Sequence, residues 1–509
     1  MKLKLPLFTF LAFTTLNLIA APWVELDDFA LRNDIQFLAD TGIITVPVTT
    51  YPLMWNAIMP DIRKADLQPL TDAQKLAVRN IHRHFGFVSR KNNISRIKLY
   101  AASSDQRFTS FGSNDFDQGG VSLSQEYLGE SLAGKVQFNY RAGLDHDNAI
   151  NQGNDYNMDG SYLAYKMGNW VLSAGIIDRW WGPGVDSSLI MSSNARPLPA
   201  LSLTRDSSKA FETPWLSWLG PWTLTTQMAQ QESDRVVEKP LIWSSRATIR
   251  PFRGLEIGTS WSVQWAGKGQ PSSIRDFFDI IFGGVECANG ASECDDDLNT
   301  NKGNHLAGYD IRWSDTLFNT SYAIYTQVIG EDASPNGLIS DKASMYGAEL
   351  RFITWGQRIL TSLEYSDTQV SCRNAEDTYQ NCFYEHNIYE SGYRYYRRAI
   401  GSTYDNDTQA MVLTVLSQLP SGNSWQLKLR KAELNTNSDT SQASDKYPND
   451  PNMGNTVAKV PEDLLQLAGE YRFYALDSRF TAGAIITNST IANETDNNFD
   501  AYVKWEYRF

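Results

Sequence analysis

From Ile94 to the C-terminal Phe509, apolar side chains recur at every second position, a period that only strands with one oily and one wet face can use. The final stretch is the strictest case. Phe499, Ala501, Val503, Trp505, Tyr507 and Phe509 form one row, and Asp500, Tyr502, Lys504, Glu506 and Arg508 form the other. Val136, Phe138 and Tyr140 likewise alternate with Lys135, Gln137, Asn139 and Arg141, and Trp425, Leu427 and Leu429 with Gln426, Lys428 and Arg430. A soluble sandwich alternates too. It seldom sets Arg, Lys and Glu so regularly on one face while aromatics crowd the strand ends of the other. That combination is the pattern of a lipid-facing band around a polar lumen. Outside the N-terminal twenty residues no run reaches the roughly eighteen apolar residues a membrane helix needs, so a membrane-spanning chain of this kind spans as a barrel.

The spacing predicts an all-β transmembrane barrel of about eighteen antiparallel strands across 93–509, with long extracellular loops. Strands expected near 94–101, 120–127, 133–142, 160–167 and 169–178 are joined by alternately long and short connections. The next obvious strands, 221–230, 241–250 and 254–265, break that alternation unless Ala200–Arg205 is a strand of its own. With it, both barrel termini face the periplasm. Phe499–Phe509, closed by a terminal Phe, resembles the last strand of bacterial outer-membrane barrels and is the expected contact for the barrel-assembly machinery.

Met1–Ala20 reads as a secretory signal: Lys2 and Lys4, an apolar core from Leu5 to Ile19, and cleavage after Ala20. Residues 21–92 read as a separate, periplasmic bundle of short helices. Asp27 or Asp28 can cap a first helix carrying Leu31, Ile35 and Leu38, ended by Gly42. Pro52–Ile62 is a second. Thr71 and Gln74 form a capping box ahead of Ala77, Ile81, Phe85 and Val88. His82 and His84 lie two apart, the wrong spacing for a helical metal pair, and read as surface histidines.

The formal charge of −13 becomes −15 once Lys2 and Lys4 are lost, which argues against nucleic acid as a partner. Four cysteines in an exported chain read as disulfides. Proximity favours Cys287–Cys294 and Cys372–Cys382, each pinning one outer loop. No cofactor or metal site is expected. Asp295, Asp296 and Asp297 lack the spacing of a calcium loop.

The least barrel-like stretch is Asp178-Arg-Trp-Trp-Gly-Pro-Gly184, running on to Pro199. Trp180 and Trp181 offer flat faces on which sugar rings stack, and Arg179, Asn194, Arg196 and Arg205 can bond hydroxyls or acidic groups. Gly182, Pro183 and Gly184 fix a turn that aims them. The competing reading is a lumenal plug whose tryptophans are simply packed. Tyr393, Tyr395 and Arg397, in the aromatic and basic run Tyr393-Arg-Tyr-Tyr-Arg-Arg398, are candidates to grip an anionic polymer, and the competing reading is a loop simply packed on its neighbour. Inward charges such as Arg96, Lys98, Arg141, Arg246, Glu256, Arg351, Glu364, Lys428, Glu470 and Glu506 would line a water channel or pair with a plug.

Trp180–Gly184 followed by Ser193-Asn-Ala-Arg-Pro197, together with Leu31–Ile43 leading into Tyr51–Trp55, resembles the Wzi-type capsule-assembly proteins. The resemblance covers essentially the whole mature chain. It implies an eighteen-stranded outer-membrane barrel with a periplasmic helical bundle, a lectin that holds capsular or another surface polysaccharide without catalysis. The strand count above is consistent with that implication rather than independent of it. A monomer is expected, and the rival function is a porin-like diffusion channel. An enzyme would need a histidine beside a serine or acid. His146, His305 and His386 carry no such companion motif.

Overall fold

The computed structural model describes residues 22–67, 69–90, 93–113, 117–144, 153–282, 303–318, 320–333, 339–373, 378–379, 381–437 and 454–509. The expected signal peptide, His146, Cys287, Cys294 and Asp295–Asp297 lie outside them.

The described residues form a closed antiparallel barrel of eighteen strands. In chain order they are β1 (Asn93–Ala102), β2 (Gly119–Leu128), β3 (Leu132–Leu144), β4 (Gly153–Asn157 continued by Tyr162–Met167), β5 (Trp170–Ile176), β6 (Pro199–Arg205), β7 (Trp222–Gln230), β8 (Leu241–Phe252) and β9 (Leu255–Trp265). There follow β10 (Gly303–Leu317), β11 (Thr320–Ala333), β12 (Ile339–Thr354), β13 (Gln357–Asp367), β14 (Gln409–Gln418), β15 (Ser424–Leu434), β16 (Glu462–Ala475), β17 (Ser478–Ile491) and β18 (Glu494–Arg508). The ring closes where β18 pairs with β1, from Tyr502 opposite Ala102 to Arg508 opposite Arg96.

Burial is inverted relative to a soluble protein, and this decides barrel over sandwich. Outward Phe138 and Ile324 are each 59% exposed, whereas inward Arg246 and Arg351 are 1% and 2% exposed. Residues 199–205 do form a strand, seated between β5 and β7 with Leu203 opposite both Leu172 and Thr226. Alternation along so short a strand is weak evidence, but parity demanded it.

The fourth strand differs from expectation. It begins at Gly153, and both of its halves pair with β3 around a break at 158–161. Asn139 Nδ2 donates to Asn157 Oδ1 (2.8 Å) and to the Asp159 carbonyl (2.9 Å), and Gly160 has φ +92°. The break frees the Asp159 side chain to point at a loop rather than lie in the ladder.

Among the described residues three helices precede the barrel: α1 (Phe29–Asp40), α2 (Trp55–Ala65) and α3 (Asp72–Arg90). Asp28 is the cap of the first, its Oδ1 accepting from Leu31 N at 3.1 Å. Thr71 and Gln74 exchange the bonds of a capping box. The second helix starts at Trp55, not Pro52, because Thr50–Tyr51 and Leu53–Met54 are drawn into short pairings with Trp180–Trp181 and Trp23–Val24. His82 bonds exposed Asp66. The region does not stand apart from the barrel. Ile35, Leu38, Ile58 and Ile81 share one apolar cluster with Ala133, Tyr162, Ala164, Leu360 and Leu416 of the inner wall and with Trp180.

Candidate functional site

The lumen is occupied in three tiers, held by buried charges on the inward wall that must find partners. The first tier, at the short-turn end, is the N-terminal region. Asp40 on α1 pairs with Arg312 (2.5 Å) and Arg351 (2.9 Å), and Glu349 bridges the same two arginines (2.6 and 2.8 Å). Asp34 pairs with Arg358. Asp27 holds Arg96 of β1 (3.1 Å) and Arg508 of β18 (2.9 Å), while Asp28 holds Arg472 (2.7 Å). Glu256 receives the backbone N–H groups of Val48 and Thr49, and Arg250 donates to the carbonyls of Ala39 and Val46.

Glu25 completes this tier against Arg96 (2.9 Å) and Lys135 (2.5 Å). Burial alone would raise its carboxyl, but the Arg96 and Lys135 charges win and hold it down at about 2 from an ordinary 4.5. A folded-state pKa below the unfolded one means the contribution is complete above about 4.5 and is lost as pH falls through about 2. Protease resistance of 22–65 in the intact protein is therefore expected to hold at neutral pH and fail within that acid window. Glu25→Gln is expected to show a shallower loss, and an unchanged profile would refute the assignment.

The second tier is the 177–198 segment. Trp180 and Trp181 pair in register with Tyr51 and Thr50. Trp180 Nε1 donates to Gly184 O (3.0 Å), and its ring meets Phe111 edge-on at 5.5 Å. Arg32 of α1 donates to the carbonyls of Pro183 (3.0 Å) and Gly184 (2.8 Å) and stacks on Phe111 at 4.3 Å. Gly182 has φ +147°, and a Cβ there would meet Gln327 Nε2 at 2.7 Å; that amide donates to Trp181 O (2.9 Å). Past the turn, Val185 and Asp186 give their N–H groups to Glu364 (2.7 and 2.6 Å). The Asp186 carboxylate then takes Lys428 (2.8 Å), Arg430 (2.9 Å) and the Tyr404 hydroxyl (2.5 Å).

The third tier is the 368–408 loop, folded in from the long-loop end. Arg394 lies between Asp405 (2.7 Å) and Glu385 (2.8 Å), and Tyr393 donates to Ile190 O (3.1 Å). Asn194 staples the second tier to the third, donating to Ala399 O (2.9 Å) and Ser402 O (3.1 Å) and accepting from Arg398 (2.8 Å). Cys382 in this loop is disulfide-bonded. The side chain of Cys372 lies outside the described residues, so the expected pairing is not decided by them.

The nominated residues thus separate. Trp180, Trp181, Asn194 and Tyr393 are wholly buried, and Tyr395 and Arg179 nearly so. This corrects the stacking role given to the tryptophans: their faces are taken by Phe111, the turn backbone and the wall. Arg179 donates to Ser202 Oγ (2.9 Å), and burial pushes its guanidinium down to about 10. Arg205 lies elsewhere altogether, at the short-turn end, over the Trp222 ring at 3.6 Å. Arg196 and Arg397 keep partial access. Arg196 bonds Asp159 (2.8 Å) and Asp155 (3.2 Å) and lies over Tyr396 at 4.6 Å. Tyr396 and Asp186 were missed. Tyr396 belongs to the same aromatic run as Tyr393 and Tyr395, whereas nothing local marks Asp186.

Between the plug and strands β1–β3 and β15–β18 a cavity of about 210 Å³ remains, lined by Lys98, Tyr100, Arg141, Lys428, Tyr502 and Lys504 among others. A second, of about 310 Å³, adjoins it at the long-loop rim, where Ser104, Asp105, Arg107, Asn498 and Asp500 line it. Gln106, Phe108, Gln466 and Tyr502 border both. His386 Nδ1 accepts from the N–H groups of Ile388 (3.1 Å) and Tyr389 (3.2 Å), and burial pushes the ring down to about 3. His305 Nδ1 accepts from Trp261 (3.3 Å).

The family model described as capsule assembly protein Wzi matches residues 89–500. The chain belongs to the Wzi family. A Klebsiella pneumoniae protein described as an uncharacterized 55.8 kDa protein in the cps region is 30% identical over 319 residues, or 62% of this Wzi-family chain. The match spans 59% of that relative's own length. The solved Escherichia coli Wzi, an outer-membrane protein described as involved in group 1 capsule assembly and as a carbohydrate-binding β-barrel, is 24% identical with a TM-score of 0.79. That match covers 95% of this chain and 99% of the other. The Wzi-family barrel is an outer-membrane protein.

Proposed function

We propose that the protein holds capsular or another surface polysaccharide at the outer face of the outer membrane and does no chemistry on it. The observation that carries this reading is the filled lumen. A barrel that commits this many of its wall charges to its own plug is built to present a rigid rim, not a passage. Polar rim groups suit hydroxyl-rich chains, and the description of Escherichia coli Wzi as carbohydrate-binding supports the same ligand class. The short-turn end with its helices then faces the periplasm, and Phe499–Phe509 serves as the assembly signal of a monomer.

The contact set follows access rather than residue type. Arg196 with the Tyr396 ring beneath it, Arg397, and the rim groove at Arg107, Asn498 and Asp500 would meet the glycan. Trp180, Trp181, Asn194, Tyr393 and Tyr395 would position them from below. Binding of the producer's own purified surface polysaccharide to the detergent-solubilised barrel, read by calorimetry, tests this. The double variant Arg196→Ala/Tyr396→Ala is expected to weaken binding at least about tenfold, the loss of one or two charge-assisted or stacking contacts. Unchanged affinity in a folded variant would move the site elsewhere on the rim.

A further inference from the structure

The 266–302 connection contains a helix, α4 (Ile274–Phe282), that the plug does not use. Ser273 and Asp276 close a capping box at its start: Ser273 N donates to Asp276 Oδ2 (2.9 Å) and Asp276 N to Ser273 Oγ (3.2 Å). It lies against the outside of the barrel at the long-loop rim. Phe277 packs on Trp265 (5.0 Å) and Trp243 (6.0 Å), both on outward rows of the wall. A Cβ on Gly303 would meet Ile280 Cγ2 at 2.9 Å, so Ile280 sits directly on the backbone of β10. Val263, an outward position, is 0% exposed as a result.

This contact uses only part of the apolar surface of α4. At about 100° per residue, Ile280, Phe277, Ile281, Ile274, Phe278 and Phe282 span an arc of roughly 200°, twice the stripe a surface helix of a soluble protein needs. The wall takes the Ile280–Phe277 edge. The other edge points away from the protein: Ile274 is 77%, Phe278 52% and Phe282 78% exposed. The narrow remainder is polar, with Arg275 and Asp279 paired at 3.8 Å. Among the described residues of the helix, the arc from Ile280 through Phe277, Ile281, Ile274 and Phe278 to Phe282 holds no polar side chain, so the exposed edge continues the outward apolar rows of β8 and β9 that the barrel gives to lipid.

We infer that α4 is an amphipathic foot inserted at the lipid interface of the long-loop leaflet, its Ile274–Phe278–Phe282 edge occupied by acyl chains. The foot fastens residues 266–282 outward onto the membrane, while residues 381–408 fold inward over the lumen. The inference does not depend on glycan binding.

The test places the photoreactive p-benzoylphenylalanine at Phe278, at Phe282 and, as the polar reference, at Arg275 of the full chain in living cells. These side chains are exposed, so the replacement leaves the packing of the wall intact, and heat-dependent gel mobility verifies the folded barrel. After irradiation, mass spectrometry of the peptide is expected to show acyl-chain adducts at 278 and 282 severalfold above those at 275. Adducts to another protein, adducts to this chain's own residues, or equal lipid labelling at all three positions would each overturn it.

Discussion

Purified protein in planar bilayers is expected to carry no steady porin-sized current, and Trp180→Ala/Trp181→Ala is expected to open it. The two indoles are the largest wholly buried side chains of the central tier, Trp180 in the apolar cluster that α1 shares with the wall and Trp181 in the cluster formed with the 368–408 residues. Each truncation leaves a void whose cost is about 3–5 kcal/mol, enough to detach the turn from Gln327 and Arg32. Flickering openings of the variant, with the barrel still heat-modifiable on gels, are the expected record. Steady conductance from the unaltered protein would sink the filled-lumen reading and restore the porin alternative.

The second large effect is expected at Asp186. Its carboxylate, 1% exposed, is shared by Lys428, Arg430 and Tyr404, and burial is outweighed by those two cations, which hold it far below the usual carboxylate range. Asp186→Ala leaves two inward cations facing one another without an anion, a loss on the order of 3–5 kcal/mol. Urea-driven unfolding in detergent measures it. Adding Lys428→Met and Arg430→Met to Asp186→Ala is expected to recover most of the deficit, because an apolar replacement of the whole group avoids the unpaired charges. A deficit that stays after all three changes would mean that the cluster is not what holds the segment down.

What the sequence disclosed and what it withheld divide along a physical line. Strand positions were legible because the lipid enforces alternation residue by residue, and Ala200–Arg205 was recoverable because closure constrains parity. The helix starts at Asp28 and Thr71 were legible because capping is local. The inward charges were legible as inward, but whether they met water or protein was not. Glu256 reads the same on a strand whether it bonds solvent or the backbone of Val48. The tryptophans show the limit most clearly. An indole that would stack on sugar and one that packs on Phe111 have identical neighbours in sequence, and only the arrival of Arg32 from 150 residues away separates them. α4 escaped notice because the expected loop was read through its cysteines.

Asp27 grips β1 through Arg96 and β18 through Arg508, the two strands that meet at the seam. A residue ahead of the first helix thus grasps both the first and the last strand of the wall. Glu506 of β18 also pairs with both Arg96 and Arg508, so anions from the wall and from the N-terminal region meet at the joint. Closure of the cylinder and docking of its contents therefore share one set of ion pairs, so a change at Asp27 touches both at once.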